Sequence, residues 1–315
     1  MQDLRIVFMG TPEFATESLK ALLDTGANIV GVITAPDKPS GRGRKLTPSP
    51  VKEFAEAHNL KVLQPEKLKS PDFLEELQAL RADLQVVVAF RMLPEVVWNM
   101  PTRGTFNLHA SLLPEYRGAA PINRAVINGE EKTGVTTFFL QHEIDTGDII
   151  FQDEVPIAPD DTAGDVHDKL MVEGARLVMK TVKAVADNTI RPIPQPKKEL
   201  KPAPKIFKED CRINWMKDCN QVYNHIRGLS PHPTAWTELQ EPEKDPVTIK
   251  IFFADKTGSE GLKPGEIYCD GKKLLMAGTL SGDLRIRELQ TPGAKRMNTE
   301  EFLRGHIIKP GSWFL

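Results

Sequence analysis

The first third of the chain repeats one pattern: a short apolar run, a turn, then a stretch with helical spacing. "LRIVFMG" (Leu4 to Gly10) is β-rich and ends in glycine, and "ATESLKALLDTG" follows with helical periodicity and a stop at Gly26. "NIVGVIT" (Asn28 to Thr34) is the next apolar run, "SPVKEFAEAHN" the next helix and "KVLQP" a short strand. "DFLEELQALRA" is a third helix, and "LQVVVAF" (Leu84 to Phe90) a further strand. Strands alternating with helices predict an α/β fold with a parallel-rich, doubly wound sheet. Ligands of such sheets sit outside the carboxyl ends of the strands. Chemistry is therefore expected in the loops after Phe8, Thr34, Phe90 and Leu108.

The pattern changes near residue 190. "RPIPQPKKELKPAPK" packs five prolines and five lysines or arginines into fifteen residues and reads as a stiff, basic linker. Beyond Phe207, "PVTIKIFFA", "GEIYCDG", "KKLLMAG" and "DLRIREL" are short strand-like runs separated by Gly or Asp turns, the rhythm of a small β-barrel or sandwich. A chain of 315 residues is long enough for two cores. The expected organisation is 1–189 for the first domain, 190–206 for the linker and 207–315 for the second domain.

Several classes are disfavoured. No apolar run approaches the roughly 18 residues of a membrane span, and "MQDLRIVFMG" lacks the features of a signal peptide, so no membrane partner and a cytoplasmic location are expected. Cys211, Cys219 and Cys269 form no CxxC pair, which predicts reduced thiols and no metal site. A formal charge of −2 argues against a uniformly basic nucleic-acid binder, although net charge conceals local patches. "MGTPEFA" opens like a nucleotide-binding turn but lacks the GxGxxG spacing; a tight turn with Pro12 near the helix start is the plainer reading.

The most informative stretch is "FNLHASLLPEYRGAAPI" (Phe106 to Ile122). In an extended segment residues two apart face the same way, so Asn107 and His109 project together from a strand end. Downstream, "HEIDTGDIIFQ" carries Asp145 and Asp148 on a Gly-containing loop between two apolar runs. An amide, an imidazole and a carboxylate suit a reaction that develops an oxyanion while shedding a proton, such as acyl transfer. Ser111 lacks GxSxG surroundings, so a covalent hydrolase is not indicated. By spacing alone, a lone His beside an Asn near a strand end is more often a structural capping or core group, and Asp145 in "DTGD" reads equally as a turn residue.

"NLHASLLPEYRGAAPI", followed by "TGVT" and "DTGDII", resembles the formyltransferase family that uses 10-formyltetrahydrofolate. The resemblance extends to "FMGTPEFA", "PDKPSGRGRKLTPSPVK", "LSPHPTAW" and "EFLRGH". It implies a Rossmann-like formyltransferase domain followed by an OB-like β-barrel, acting as a monomer. The implied reaction moves the formyl group of the folate to the amino group of methionine carried on initiator tRNA. The family's catalytic trio falls on Asn107, His109 and Asp145, and Ser111, Leu112, Leu113 and Pro114 would line the folate pocket. Phe90, Arg91 and Met92 would form a neighbouring wall, where the family usually has tyrosine-glycine in place of Phe90 and Arg91. In "LQTPGAKRM", Ala294 separates the glycine from a basic pair that the family more often attaches to it directly.

The run from Lys38 to Lys52 carries five basic residues and no acid. It reads as a solvated loop or, beside a crevice, as an RNA contact made by Arg42, Arg44 and Lys45. Lys198, Lys201, Lys205, Lys295 and Arg296 are the expected phosphate contacts of the linker and barrel. The alternatives are a formyltransferase for a small amine such as glycinamide ribonucleotide or an amino sugar, a folate-linked formyl hydrolase, and a non-catalytic RNA-binding protein.

Overall fold

A computed structural model describes residues 3–40, 45–196 and 200–315. In chain order the first strands and helices are β1 (Arg5–Gly10), α1 (Glu13–Asp24), β2 (Asn28–Ile33), β3 (Lys38–Ser40), β4 (Lys45–Thr47), α2 (Pro50–Ala57), β5 (Val62–Leu63), α3 (Pro71–Ala79), β6 (Leu84–Val88), α4 (Glu95–Trp98) and β7 (Thr105–His109). They are followed by α5 (Pro121–Ile127), β8 (Lys132–Phe139), β9 (Ile149–Pro156) and α6 (Ala163–Ala186).

The main sheet has the order β5-β2-β1-β6-β7-β8-β9. β1 pairs in parallel with β2 and β6, β2 with β5, and β6 with β7, whereas β8 runs antiparallel to β7. The parallel-rich sheet is the one the sequence pattern predicts. The physical reason is burial: all five residues of β6 are buried, as a strand covered on both faces requires. Val7, Met9, Ile33, Leu63 and Val87 pack with Phe73 and Leu77 of α3 and Val97 of α4. The chain winds away from β1 in one direction through β2 and β5, then returns to its other side with β6. The strand order reverses there, which puts the switch point of the sheet at the carboxyl ends of β1 and β6 beside the end of β7. Gly10 ends β1 because a side chain there would meet Ala15 Cβ at 2.5 Å. Helix α2 starts on Ser49, whose hydroxyl accepts from Lys52 N at 3.1 Å, with Pro50 in the first turn.

The basic run after β2 differs from a simple loop. β3 and β4 form an antiparallel ladder pairing Lys38 with Thr47 and Ser40 with Lys45. Arg42 and Arg44 lie outside the described residues.

Past α6 come α7 (Cys219–Leu229), β10 (Ala235–Gln240), β11 (Val247–Lys256), β12 (Ile267–Cys269), β13 (Leu275–Thr279), β14 (Gly282–Gln290), β15 (Met297–Asn298), α8 (Thr299–Gly305) and β16 (Trp313–Phe314). The sheet order is β12-β13-β14-β11-β10-β16. A bridge between Glu266 and Trp313, with Phe314 N donating to Gly265 O at 2.8 Å, joins the two edges into a nearly closed barrel. Its core holds Ile251, Leu284, Ile286 and Leu289 with Val222, Ile226 and Leu229 of α7. Reading the segment for strands alone passes over α7, which Asp218 caps by accepting from Gln221 N at 3.0 Å.

The residues group into two compact units. One comprises Met1–Gly118, Thr133–Val155 and His167–Pro202; the other comprises Ala119–Lys132, Pro156–Val166 and Ala203–Leu315. Among the described residues no helix is long and apolar enough to cross a membrane.

The turn after β12 is held by one carboxylate. Asp270 Oδ1 accepts from the amides of Lys272, Lys273 and Leu274, each at 2.8 Å. These bonds, that to Leu274 foremost, lower its pKa from 3.8 to about 2. A depressed folded-state pKa contributes stability above the unfolded value, lost as pH falls through the folded one. The three amide resonances are expected to titrate together with a midpoint near 2 in an NMR pH series, and Asp270→Ala should abolish that transition.

Candidate active site

Strand β7 sets the geometry. Asn107 lies between Val87 of β6 and Phe138 of β8, and His109 opposite Thr136. Alternation puts Asn107 and His109 on one face, while Leu108 on the other meets Gly174 of α6. Asn107 is half-buried, and its amide has no hydrogen-bond partner among the described residues. His109 is only 7% exposed, and its Nε2 lies 2.9 Å from Tyr116 O. A carbonyl can only accept, so Nε2 carries the proton of the neutral ring and Nδ1 keeps its lone pair. Nδ1 stands 3.9 Å from Asp145 Oδ2, an ion-pair separation once the ring is protonated and too long for a hydrogen bond.

Asp145 is therefore the acid that returns to His109. Asp148 instead closes the same loop, its carbonyl accepting from Phe139 N at 3.1 Å. Asp145 sits at φ +55°, a left-handed conformation that aspartate tolerates better than most residues. Its Oδ2 accepts from Gly118 N at 3.0 Å. The loop requires Gly147, because a Cβ there would fall 1.6 Å from Phe139 O. Gln195 Nε2 donates to the carbonyls of Asp145 at 2.9 Å and Gly147 at 2.7 Å, and its Oε1 accepts from Arg117 at 3.1 and 2.5 Å. Arg117, Gly118 and Gln195 escape a reading based on the trio. The one signal for Gln195 is a lone amide within the proline-rich stretch, and for Arg117 its place inside the motif.

The turn after His109 is pinned from below. Ser111 Oγ donates to Glu115 O at 2.6 Å, and Thr136 Oγ1 donates to Ser111 O at 2.6 Å. Gln152 Nε2 donates to Leu113 O at 2.8 Å and Thr136 Oγ1 at 2.9 Å. Ser111, Leu113 and Pro114 are buried and Leu112 is half-buried against Gly134. In this arrangement these residues build the floor under His109, with the Ser111 hydroxyl proton committed to the turn.

The wall after β6 contains a cross-tie. Arg91 Nη1 donates to Glu66 O at 2.9 Å, Nη2 donates to Pro65 O, and the guanidinium lies 5.6 Å from the centre of the Phe90 ring. Burial lowers its pKa, and it remains an arginine cation. Met92 is exposed at 76%. Arg91 thus spends its charge on the loop after β5.

The basic residues divide. Lys45 begins β4, while Lys52 is bound to Asp37 at 2.7 Å and so contributes little open positive charge. Lys198 lies outside the described residues, as do Arg42 and Arg44. Lys201 has its backbone fastened, N to Glu115 Oε2 at 2.8 Å and O to Tyr116 N at 2.7 Å. Lys205 lies 5.4 Å from the Phe207 ring centre and Lys295 is exposed. Arg296 stacks 4.5 Å from the Phe252 ring centre and pairs with Glu288 at 2.5 Å. Among the described residues no group of His, Cys, Asp and Glu is arranged to hold a metal.

Comparison with known proteins gives two consecutive family matches: Formyl transferase over residues 4–182, and Formyl transferase, C-terminal domain, over residues 205–307. The chain is 57% identical to methionyl-tRNA formyltransferase of Bacteroides fragilis over 309 residues, covering 96% of this chain and 95% of that one. It is 56% identical to that of Bacteroides thetaiotaomicron over 315 residues, covering 98% of each. Among solved structures it is similar to the N-formyltransferase of Helicobacter canadensis in complex with folinic acid and dTDP-3-aminofucose, with TM-score 0.67, 22% identity and coverage of 91% and 99%. HypX of Aquifex aeolicus in complex with tetrahydrofolic acid gives TM-score 0.66 and 19% identity over 98% of this chain and 49% of that one. Matched by both models and by relatives more than half identical along nearly its whole length, the chain belongs to the formyl transferase family.

Proposed function

We propose that this enzyme transfers the formyl group of 10-formyltetrahydrofolate to the free amino group of methionyl initiator tRNA, giving N-formylmethionyl-tRNA. The observation that carries the reading is the near-full-length identity to proteins named methionyl-tRNA formyltransferase, across both family domains. The folate supplies the formyl carbon. Residues 1–189 perform the chemistry, and the stretches 190–206 and 207–315 contribute RNA contacts.

The residues fit that chemistry. Asn107 presents an amide with no hydrogen-bond partner among the described residues, so its N–H is available to the formyl oxygen as negative charge grows there. His109 acts differently from a simple second donor. Its one N–H in the neutral ring is committed to Tyr116 O, which leaves Nδ1 to accept the proton that the methionyl amine must lose. The resulting imidazolium is held by Tyr116 O at 2.9 Å and faces Asp145 at 3.9 Å. From Nδ1–H it can then donate to the oxyanion or return the proton to the departing folate nitrogen. The enzyme works in the cytoplasm, without a membrane, as a monomer. Folate contacts come from the loop at Phe90, Arg91 and Met92 and the turn Ser111, Leu112, Leu113 and Pro114.

Formyl transfer is expected to methionyl initiator tRNA, with little to methionyl elongator tRNA or free methionine. Preferred transfer to a small amine, or release of formate alone, would overturn the assignment. Asn107→Ala and His109→Ala should each lower kcat by about 10²–10³, with folate and tRNA affinity changed little.

RNA contacts are expected to separate by salt. Lys205→Glu and Lys295→Glu should raise KM for the tRNA and flatten its dependence on salt, because phosphate neutralisation releases counterions. Arg296 should show a smaller effect, its charge being already paired with Glu288. Arg42→Ala should lower kcat/KM mainly through kcat, with a salt slope near wild type; Arg44, Lys45, Lys198 and Lys201 complete the proposed contact. Steady-state kinetics across a salt series distinguish the two behaviours, and a normal kcat in Arg42→Ala would remove it from the site.

A further inference from the structure

The trio is held from outside itself by three consecutive residues, each through a different group. Tyr116 gives its carbonyl to His109 Nε2, and Gly118 gives its amide to Asp145 Oδ2. Between them, Arg117 holds Gln195, which in turn grips the two carbonyls of the Asp145 loop. Every hydrogen-bonding group of the Gln195 amide is used. Both N–H bonds go to carbonyls and the oxygen receives two guanidinium N–H groups. Turning the amide over would set its oxygen against two carbonyls and its NH2 against a cation, so one orientation is dictated. Gln195 is half-buried, whereas all its neighbours from Arg191 to Pro196 are exposed.

We infer that Gln195 and Arg117 are positioning residues for formyl transfer: Arg117 orients the Gln195 amide, and that amide sets the distance of the Asp145 carboxylate from the His109 ring. The inference rests on the roles assigned above to His109 and Asp145. A carboxylate 3.9 Å from Nδ1 has no direct bond to the ring to keep it in place. Its position comes from the Gly118 amide and from the backbone of its own loop, and Gln195 fixes that backbone at Asp145 and Gly147. Losing the clamp lets the loop drift while the fold, the folate wall and the RNA-binding surfaces stay as they are. The reaction depends steeply on such a placement, since displacement by about 1 Å commonly costs about 10²-fold.

The test uses the full chain with Gln195→Ala, Gln195→Glu, Arg117→Met and Arg117→Lys. Gln195→Glu matters because it keeps the size of the side chain and removes both donors. Both Gln195 variants are expected to lower kcat about 10- to 100-fold with KM for tRNA and folate within about twofold. Arg117→Met should behave alike, and Arg117→Lys, which keeps a cationic donor for the Gln195 oxygen, should recover most of the rate. A loss that appears in KM, or a Gln195→Glu variant as active as wild type, would overturn the inference. Hydrogen exchange of the Gly118 amide, measured without substrates, supplies a second readout independent of the acceptor. It should quicken in Gln195→Ala, and an unchanged rate would overturn the positioning role. Absence of transfer to methionyl-tRNA by the wild type would instead refute the assigned activity and leave the exchange result standing.

Discussion

A buried imidazole cannot leave its N–H unpaired without a cost of about 1–3 kcal/mol, and His109 meets that demand with a single carbonyl, that of Tyr116. Much of the site follows from this bond. It selects the tautomer, and the tautomer decides that the nitrogen facing Asp145 is the one with a lone pair. It also dictates the turn, because the chain must leave β7 and present a carbonyl back to the ring seven residues later. The turn is accordingly tied to β8 and β9 through Thr136 and Gln152 and passes through Tyr116 at φ +60°. A left-handed tyrosine persists only where its surroundings over-determine it.

Above that level the fold does two things. The parallel core β2-β1-β6-β7 fixes where β7 ends, and the antiparallel β8 ends beside the start of β7, with Phe139 opposite Phe106 and Leu140 N donating to Thr105 O at 2.8 Å. The loop after β8 therefore runs from that end along the sheet until Asp145, thirty-six positions after His109, stands 3.9 Å from its ring.

Much of this was legible in the sequence. Period and punctuation mark β1, β2, β5 and β6, because buried strands are apolar runs bounded by turn residues; β7, with Asn107 and His109 inside it, is legible only as the extended segment of the motif. Asn107 and His109 were legible as a pair, since strand alternation alone puts them on one face. Other features were not. Asp145 and Asp148 are indistinguishable by spacing; the choice depends on which backbone groups the loop must satisfy. The tautomer of His109 is set by a carbonyl seven residues on, which its spacing from Asn107 cannot reveal. Gln195 was hidden because prolines and lysines around it signal a solvated spacer, while its contact is made across fifty positions of sequence. Lys52 belongs to a basic run in the sequence, but the run does not show that Asp37, fifteen positions before it, takes up its charge. The helix α7 was masked by the strand rhythm that follows it.

The Arg91 cross-tie has a consequence for how the crevice meets its ligands. Pro65 and Glu66 accept from Arg91, and Gln64 next to them donates to Ala35 O and to Asp37 Oδ1, whose other oxygen holds Lys52. Three loops from three strands, and the stem of the β3–β4 hairpin, are thereby joined in one network. Such a rim moves as one body. A ligand that binds against it finds the rotational freedom of these loops already spent during folding, so less of its binding energy goes into ordering protein. The rim is thus braced before any ligand arrives.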